Sequence, residues 1–244
     1  MAGMGWLTIS HLDFPYMMIP PEHVWLTDHV FLVYFFGILL ILAGTCIVFK
    51  IKPMPASLLL GTVLLLIFCF YFIPYELLVS PNYRHFGAWE NAAKELTLCG
   101  GAFVIAGYFS TKTDNRLIRA LKRLIPIGII VYSLTIISYS IDHFLYGRQA
   151  ADYIPSWIPN HVFWIYFAGV ALLAAGIAIL LNIMRGTAAL LLGIMILIWV
   201  IILHVPKAIA NPIDSQTGEV TSAFLALAYC GIAFVIAGGP KKRA

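Results

Sequence analysis

The chain has 244 residues, of which 61% are hydrophobic and 11% are charged, with a formal net charge of +4 at pH 7. So much apolar surface exceeds what a soluble domain can bury, which excludes that class and indicates a membrane protein. A helix needs about 20 apolar residues to cross the hydrocarbon core. The sequence contains seven such runs, at 30–50, 56–78, 92–110, 124–145, 161–182, 187–206 and 221–239.

The apolar runs predict helices rather than the strands of a membrane barrel. Barrel strands alternate apolar and polar residues over about ten positions, whereas a run such as "LLLGTVLLLIFCFYFI" at 58–73 does not alternate. The predicted fold is therefore all-α, a polytopic transmembrane helix bundle of seven spans.

The charges predict the orientation of these spans. If the loops alternate sides, eleven of the 15 basic residues fall on one side, where Lys50, Lys112 and Arg185 are examples. Because basic residues mark the cytoplasmic side, we expect the N-terminus outside and the C-terminus in the cytoplasm. All seven histidines and ten of the eleven acidic residues then lie on the outer side, so the outer face is the expected functional face.

The sequence also repeats itself. "WLTDHVFLVYFFGILLILAG" at 25–44 returns as "WIPNHVFWIYFAGVALLAAG" at 157–176, an offset of 132 residues. After a shift of one residue, "CGGAFVIAG" at 99–107 matches "CGIAFVIAG" at 230–238. The charge pattern gives both copies one orientation, which predicts two parallel tandem units of four-helix type, the first lacking its first helix.

This repeat divides the chain into three parts. The first repeat covers 1–111, a basic cytoplasmic linker covers 112–123, and the second repeat covers 124–244. Glycines spaced seven residues apart on one helix face recur in both copies, and we interpret them as close helix contacts. They are Gly37, Gly44, Gly169 and Gly176.

The segment "HFLYGRQAADYIPSWIPNHVFWIYFAGVALLAAGIAILL" at 143–181 resembles the DoxX-like membrane proteins. The shared features are a His-Phe pair at the outer end of the first helix, a loop with Pro, Trp, Ile and Pro, and a helix opening on Tyr-Phe-x-Gly. The resemblance covers 137–239 and, more faintly, 9–110. The chain differs from the usual single four-span unit in being a fused pair that lacks one helix.

The resemblance implies a multi-pass protein of the bacterial inner (plasma) membrane. Relatives include the small membrane subunit of a thiosulfate:quinone oxidoreductase and proteins found with redox partners. The implied function is a membrane or quinone-interacting subunit of an oxidoreductase system. Its expected partners are the lipid bilayer and an extracytoplasmic or membrane protein, and no nucleic acid.

The candidate catalytic residues include proton-carrying groups near the outer ends of the spans. Tyr139 lies one turn below His143 on the predicted helix and could share its hydrogen-bond network, whereas Asp142 cannot face its neighbour His143. His161 follows Asn160, which we predict to be an N-cap. Two interpretations of His161 are equally favoured. It is either a residue that begins a helix at the membrane interface or a functional residue.

Polar residues that differ between the repeats point to a single site. The first repeat has Glu76 and Glu95 where the second has Ala208 and Ala226. Glu95, also a catalytic candidate, would cost about 2.5–3.5 kcal/mol toward the centre of a span, so it should face the bundle interior or a polar cavity. Glu76 and His204 lie near the outer ends of corresponding helices and are expected to border the same cleft.

The candidate groups suit a quinone, whose two carbonyls each need a hydrogen-bond donor and whose protons a His or Tyr beside a carboxylate can pass. The residues predicted to hold it are His11, His29, His204 and Glu76. A b-type haem would need axial histidines from facing helices, such as His143 with His11 or His204 with His161. No motif predicts a metal site, and the four cysteines form no CxxC pair and are interpreted as packing residues.

Two further functions remain open. A non-enzymatic membrane anchor or assembly partner would use the proline-rich loops "FPYMMIPPEHVW" and "YIPSWIPNH" for docking. A small-molecule transporter would need polar residues through the full depth of the membrane. The inner halves of the spans, such as "AGTCIVF" and "AGIAILL", nearly lack them, which disfavours transport.

Overall fold

A computed structural model describes residues 1–15, 18–20, 30–210 and 218–239, and within these ranges the chain is helical, without strands. The main helices are α1 (Ala2–His11), α2 (Val30–Val48), α3 (Pro53–Leu78), α4 (Glu90–Tyr108), α5 (Arg116–Leu145), α6 (His161–Leu180), α7 (Arg185–Ala210) and α8 (Glu219–Ala237). The prediction of an all-α fold is confirmed.

Six of these helices, α2, α3, α5, α6, α7 and α8, are long and apolar enough to cross a membrane. Helix α4 is as long as α2, at 19 residues, but its first two turns carry Glu90, Lys94 and Glu95. The six apolar helices support a membrane protein, and the seventh span stays a prediction. The segment 112–123, predicted as a linker, is helical from Arg116 onward and continues into α5.

The two ends of the bundle differ in charge. At one end, here called the basic end, the connections 49–52, 109–115 and 181–184 join successive helices and carry or adjoin Lys50 and Arg185. At the other, here called the acidic end, α3, α5 and α7 finish and α4, α6 and α8 begin. This end carries Glu76, Glu90, Asp142 and Glu219. The connections at the acidic end are longer than those at the basic end.

Helix α4 lies in the interior of the bundle. Eleven of its 19 residues are buried, against five of 19 in α2. It packs against α3, α5 and α8. Glycines allow the closest of these approaches: a Cβ added at Gly100 would lie 2.9 Å from the backbone nitrogen of Tyr132 on α5, and one at Gly101 would collide with the Ile232 side chain on α8.

The glycines interpreted as helix contacts do lie at contacts. A Cβ at Gly37 would come within 2.6 Å of Ile9 on α1, and one at Gly44 within 2.6 Å of the Ala2 nitrogen. Gly169 and Gly176 face α5 in the same way, at His143 and Ile137, at 3.0 and 2.6 Å. Helix α1 therefore packs on α2 as the last turns of α5 pack on α6.

Local features recur at the offset of the sequence repeat. A π-helical turn occurs at Phe68–Phe72 in α3 and again at Val200–His204 in α7. Each turn is followed two residues later by a proline, Pro74 or Pro206, which lacks the amide that would continue the regular hydrogen-bond ladder. A wider turn before the proline relieves the clash of its ring with the preceding turn.

The thiol contacts recur as well. The Cys99 thiol donates to the Gly61 carbonyl at 3.3 Å, and the Cys230 thiol to the Gly193 carbonyl at 3.3 Å. Both cysteines are buried, as expected for packing residues, whereas Cys69 is exposed on the outside of α3.

Candidate functional site

A cavity of about 520 Å³ opens at the acidic end, between the last turns of α3 and the first turn of α4. Part of its wall is apolar or aromatic, formed by Pro20, Phe72, Tyr75 and Ala88. The remaining lining is polar apart from Gly87, and consists of Glu76, Ser80, Asn82, His85, Asn91 and Tyr146. We call this space the acidic-end cavity.

Glu76 supplies the carboxyl group of the cavity. It lies on the short stretch of α3 that follows the π-helical turn, and only 4% of its surface is exposed. Its Oε2 atom has no hydrogen-bond partner among the described residues, while the Ser80 side chain hydrogen-bonds to the carboxyl group. One carboxyl oxygen is therefore buried and unpaired within the described part of the chain.

Tyr146 joins the cavity from the end of α5. Its hydroxyl oxygen accepts a hydrogen bond from the Gly87 amide at 3.1 Å, so the hydroxyl proton is left for another acceptor. A Cβ at position 87 would lie 3.2 Å from that oxygen, which is why a glycine suits the approach. The Trp89 indole donates to the Tyr83 carbonyl at 2.8 Å and holds the connection before α4 in a tight turn.

A second polar cluster lies among α4, α5 and α8. The Tyr229 hydroxyl donates to the Lys94 carbonyl at 3.0 Å, and the Tyr139 hydroxyl lies 3.0 Å from both the Tyr229 hydroxyl and Thr97 Oγ1. Tyr229 uses its proton on the Lys94 carbonyl, and Thr97 uses its own on the Ala93 carbonyl at 2.6 Å. Tyr139 is therefore the donor, and its one hydroxyl proton is shared between the Tyr229 hydroxyl and Thr97 Oγ1. The rings of Tyr139 and Tyr229 stack with centroids 5.8 Å apart.

Tyr139 and His143 were predicted to share a hydrogen-bond network through the Tyr139 hydroxyl, but the contact between them is made by the Tyr139 backbone carbonyl. His143 Nδ1 lies 2.7 Å from the backbone carbonyl of Tyr139, so Nδ1 carries the proton, and the Tyr139 hydroxyl points to Thr97 and Tyr229 instead. His143 itself lies against Gly169 of α6. Residues four apart share a helix side, but side-chain reach directs these two groups to different neighbours.

Asp142 lies on the same end of α5, partly buried, and its Oδ1 atom has no hydrogen-bond partner among the described residues. Nearby on α4, Lys94 Nζ lies 2.7 Å from Glu90 Oε1. These groups interact electrostatically with Asp142. Asp142 therefore belongs to a charged patch above the tyrosine cluster.

Glu95 faces the bundle interior, as predicted. It is fully buried, and neither carboxyl oxygen has a hydrogen-bond partner within the described part of the chain. It lies one turn deeper on α4 than Asn91, which lines the acidic-end cavity.

The other predicted histidines do not line this cavity. His204 lies on the π-helical turn of α7 with a buried Nδ1 that has no partner among the described residues, so the predicted common cleft with Glu76 does not form around the cavity. His11 is exposed at the end of α1. His161 begins α6, and His29 lies outside the described residues.

The predicted N-cap role of Asn160 is wrong in its chemistry. Asn160 does occupy the residue before α6, but its side chain accepts no hydrogen bond from the helix. Its backbone is left-handed, with φ 57° and ψ 52°, whereas a capping residue is extended. The first amides of α6 therefore receive no hydrogen bond from this side chain.

A larger cavity, of about 1100 Å³, opens at the basic end among α4, α5, α7 and α8. Its lining is mostly apolar, with Arg185, Asn182 and Thr187 as polar members. It contains none of the predicted site residues.

Five polar residues of the acidic-end cavity were missed in the sequence: Ser80, Asn82, His85, Asn91 and Tyr146. Asn91 could have been found, because it precedes Glu95 by one helical turn. The other four come from connections whose approach depends on the packing of distant helices, which no local pattern reveals.

Within the described residues, no three His, Cys, Asp or Glu side chains are grouped closely enough to hold a metal ion. No protein-family model, curated protein or solved structure matches the chain. The resemblance to the DoxX-like proteins stays a prediction.

Proposed function

We propose that the chain is a DoxX-like protein of the bacterial inner membrane and a quinone-interacting subunit of an oxidoreductase system, with its site on the outer face. The observation that carries the proposal is the acidic-end cavity, which combines an aromatic wall with a carboxyl group and several hydrogen-bond donors at one end of an apolar bundle.

The proposed architecture has seven spans in two parallel units. The 19 residues of α4 extend about 28 Å at 1.5 Å per residue, close to the roughly 30 Å of the hydrocarbon core. Contact between Gly101 and Ile232 supports parallel repeats, because these positions match in the sequence alignment and would meet at an axis along the membrane normal. The basic connections support a cytoplasmic basic end and an outer acidic end.

The cavity fits the chemistry of a quinone head group. Phe72 and Tyr75 offer flat apolar surface to the ring, while the Tyr146 hydroxyl, Asn91 and His85 offer hydrogen-bond donors for its two carbonyls. When bound, a quinone accepts two electrons and two protons. The electrons would come from a redox protein docked at the outer face.

The residues of this chain would hold and transfer the protons that quinone reduction consumes. Glu76, with one carboxyl oxygen that is buried and unpaired, can hold a proton at the cavity wall, and His85 at the exposed rim can pass that proton to water. The tyrosine cluster of Tyr139 and Tyr229 holds α4, α5 and α8 together beside the cavity, and so positions Asn91. Tyr139 and His143 thereby take a supporting role in the proposal.

The test is a binding titration of the purified protein in detergent with short-chain ubiquinone and menaquinone analogues, followed by quenching of tryptophan fluorescence. Trp89 adjoins the cavity lining and is a suitable reporter. Tyr146→Phe should weaken binding about tenfold, the loss of one hydrogen bond of about 1.4 kcal/mol. Glu76→Gln removes the proton-holding carboxyl group but no donor to the quinone carbonyls, so it should leave the affinity close to that of the wild type. Asp152→Asn, which neutralises an exposed acid at the same end, is the matched control.

Absence of saturable quenching in the wild-type protein would refute quinone binding. Equal weakening by Asp152→Asn would show that charge at the acidic end, rather than the cavity, attracts the ligand. Retention of a co-purifying redox protein without quinone binding would favour the docking function instead.

A further inference from the structure

Glu95 is a buried acid that the cavity chemistry above does not use. It is 0% exposed, and both carboxyl oxygens lack hydrogen-bond partners in the described ranges of the chain. The adjacent cation, Lys94, is engaged with Glu90 at 2.7 Å and lies 3.5 Å from Asn91 Oδ1. Burying an isolated carboxylate in such surroundings destabilises the fold by several kcal/mol, so we expect a ligand to neutralise its charge.

The neighbours of Glu95 on α4 define its position. Asn91, one turn toward the acidic end, lines the cavity. Cys99, one turn further in, donates its thiol hydrogen to Gly61 of α3. Because residues four apart lie on one side of a helix, Glu95 faces α3 below the cavity, at the depth of the π-helical turn Phe68–Phe72. Such turns are frequent at functional sites.

The surroundings determine which ligand fits. A metal cation needs several oxygen ligands, and no three metal-binding side chains are grouped among the described residues. On the facing stretches of the helices packed against α4, the titratable residues are Cys69, Tyr71, Tyr75 and Glu76 on α3, Tyr132, Tyr139, Asp142 and His143 on α5, and Tyr229 and Cys230 on α8. His143, the one residue of this set that can become a cation, uses Nδ1 on the Tyr139 carbonyl and lies against Gly169 of α6. A proton neutralises the Glu95 carboxylate without a set of further ligands.

We propose that Glu95 is a proton-binding site that is loaded and unloaded through the acidic-end cavity by way of Asn91. Binding converts the carboxylate and one proton into the carboxylic acid, with no other reactant. The site does not require that the cavity hold a quinone. In the proposed function, it would supply a proton that quinone reduction consumes.

The acid form is tested with the apolar reagent N,N′-dicyclohexylcarbodiimide on the purified full-length protein. A buried carboxylic acid adds across one C=N bond, its proton passes to nitrogen, and an acyl shift leaves a stable acylurea without loss of atoms. Peptide mass mapping should locate the adduct on Glu95. Glu95→Gln should lose it, whereas Glu95→Asp and the exposed control Glu90→Gln should keep an adduct at position 95. No adduct at Glu95 in the wild-type protein would overturn the proposal.

The route is tested by infrared spectroscopy in D₂O. The carbonyl band that Glu95→Gln removes should exchange its proton for deuterium at least several-fold more slowly in Asn91→Leu than in the wild type. Asp152→Asn should leave the rate unchanged. An unchanged rate in Asn91→Leu would overturn the route through the cavity. Failure of quinone binding would leave both results intact, so the two proposals fail separately.

Discussion

Gly100→Ala and Gly231→Ala form a matched pair, because the two glycines correspond in the sequence repeat but differ in their surroundings. A Cβ at Gly100 would lie 2.9 Å from the Tyr132 nitrogen and 3.0 Å from the Gly128 carbonyl oxygen, about half an ångström or more short of ordinary contact. Both are backbone atoms, so neither can rotate away. A Cβ at Gly231 would meet nothing within 4 Å.

The expected magnitudes follow from this difference. Alanine gains about 1 kcal/mol over glycine in a helix at either position. At Gly100, the forced separation of α4 and α5 costs about 1–3 kcal/mol. The free energy of unfolding should therefore be lower in Gly100→Ala than in Gly231→Ala by about 1–3 kcal/mol, with the propensity gain common to both variants.

The assay is reversible unfolding in mixed micelles with increasing dodecyl sulfate, followed by circular dichroism and tryptophan fluorescence. Gly128→Ala, at the opposite side of the same contact, should behave like Gly100→Ala. Equal stabilities for Gly100→Ala and Gly231→Ala would refute the backbone contact between α4 and α5. A destabilised Gly231→Ala would show that another helix covers α8 there.

Tyr139→Phe should lower the free energy of unfolding by about 1–2 kcal/mol, because the hydroxyl contacts with Thr97 and Tyr229 are lost. The double variant Tyr139→Phe/Thr97→Val should lose less stability than the sum of the losses in the two single variants. Additive losses in the same unfolding assay would contradict the network. In intact cells, a membrane-impermeant maleimide should label Arg84→Cys directly but Lys112→Cys only after permeabilisation, with the wild-type protein as background. The opposite pattern would contradict the proposed orientation.

Much of the helix pattern was predictable because hydropathy in a membrane protein is a local property. The predicted runs 30–50 and 161–182 became α2 and α6 within a few residues at their ends. The run 92–110 became α4, whose first turns are polar because they line a cavity and carry an ion pair rather than face lipid. Polar residues in a helix thus weaken its hydropathy signal where a candidate site lies.

The candidate site was predictable only in part, because its assembly depends on packing. Burial of Glu95 follows from its cost in lipid, and the cavity position of Glu76 follows from the asymmetry between the repeats. His204 was grouped with Glu76 because the two lie near the ends of helices that correspond in the sequence, yet they lie on different helices, α7 and α3, and only Glu76 lines the cavity. Tyr146 reaches the cavity only because α5 packs beside α4.

If the halves are repeats as proposed, their divergence explains why the acidic site occurs once. In a symmetric dimer of single units, residues at the axis face their own copies, whereas here Gly101 on α4 faces the larger Ile232 on α8. Because the two halves of one chain can diverge independently, one half can carry Glu95 while the other carries Ala226. A buried acid destabilises the fold wherever it occurs, so a homodimer would bear that penalty twice and the fused chain bears it once. Fusion therefore permits a proton site in a bundle that stays apolar elsewhere along the same depth.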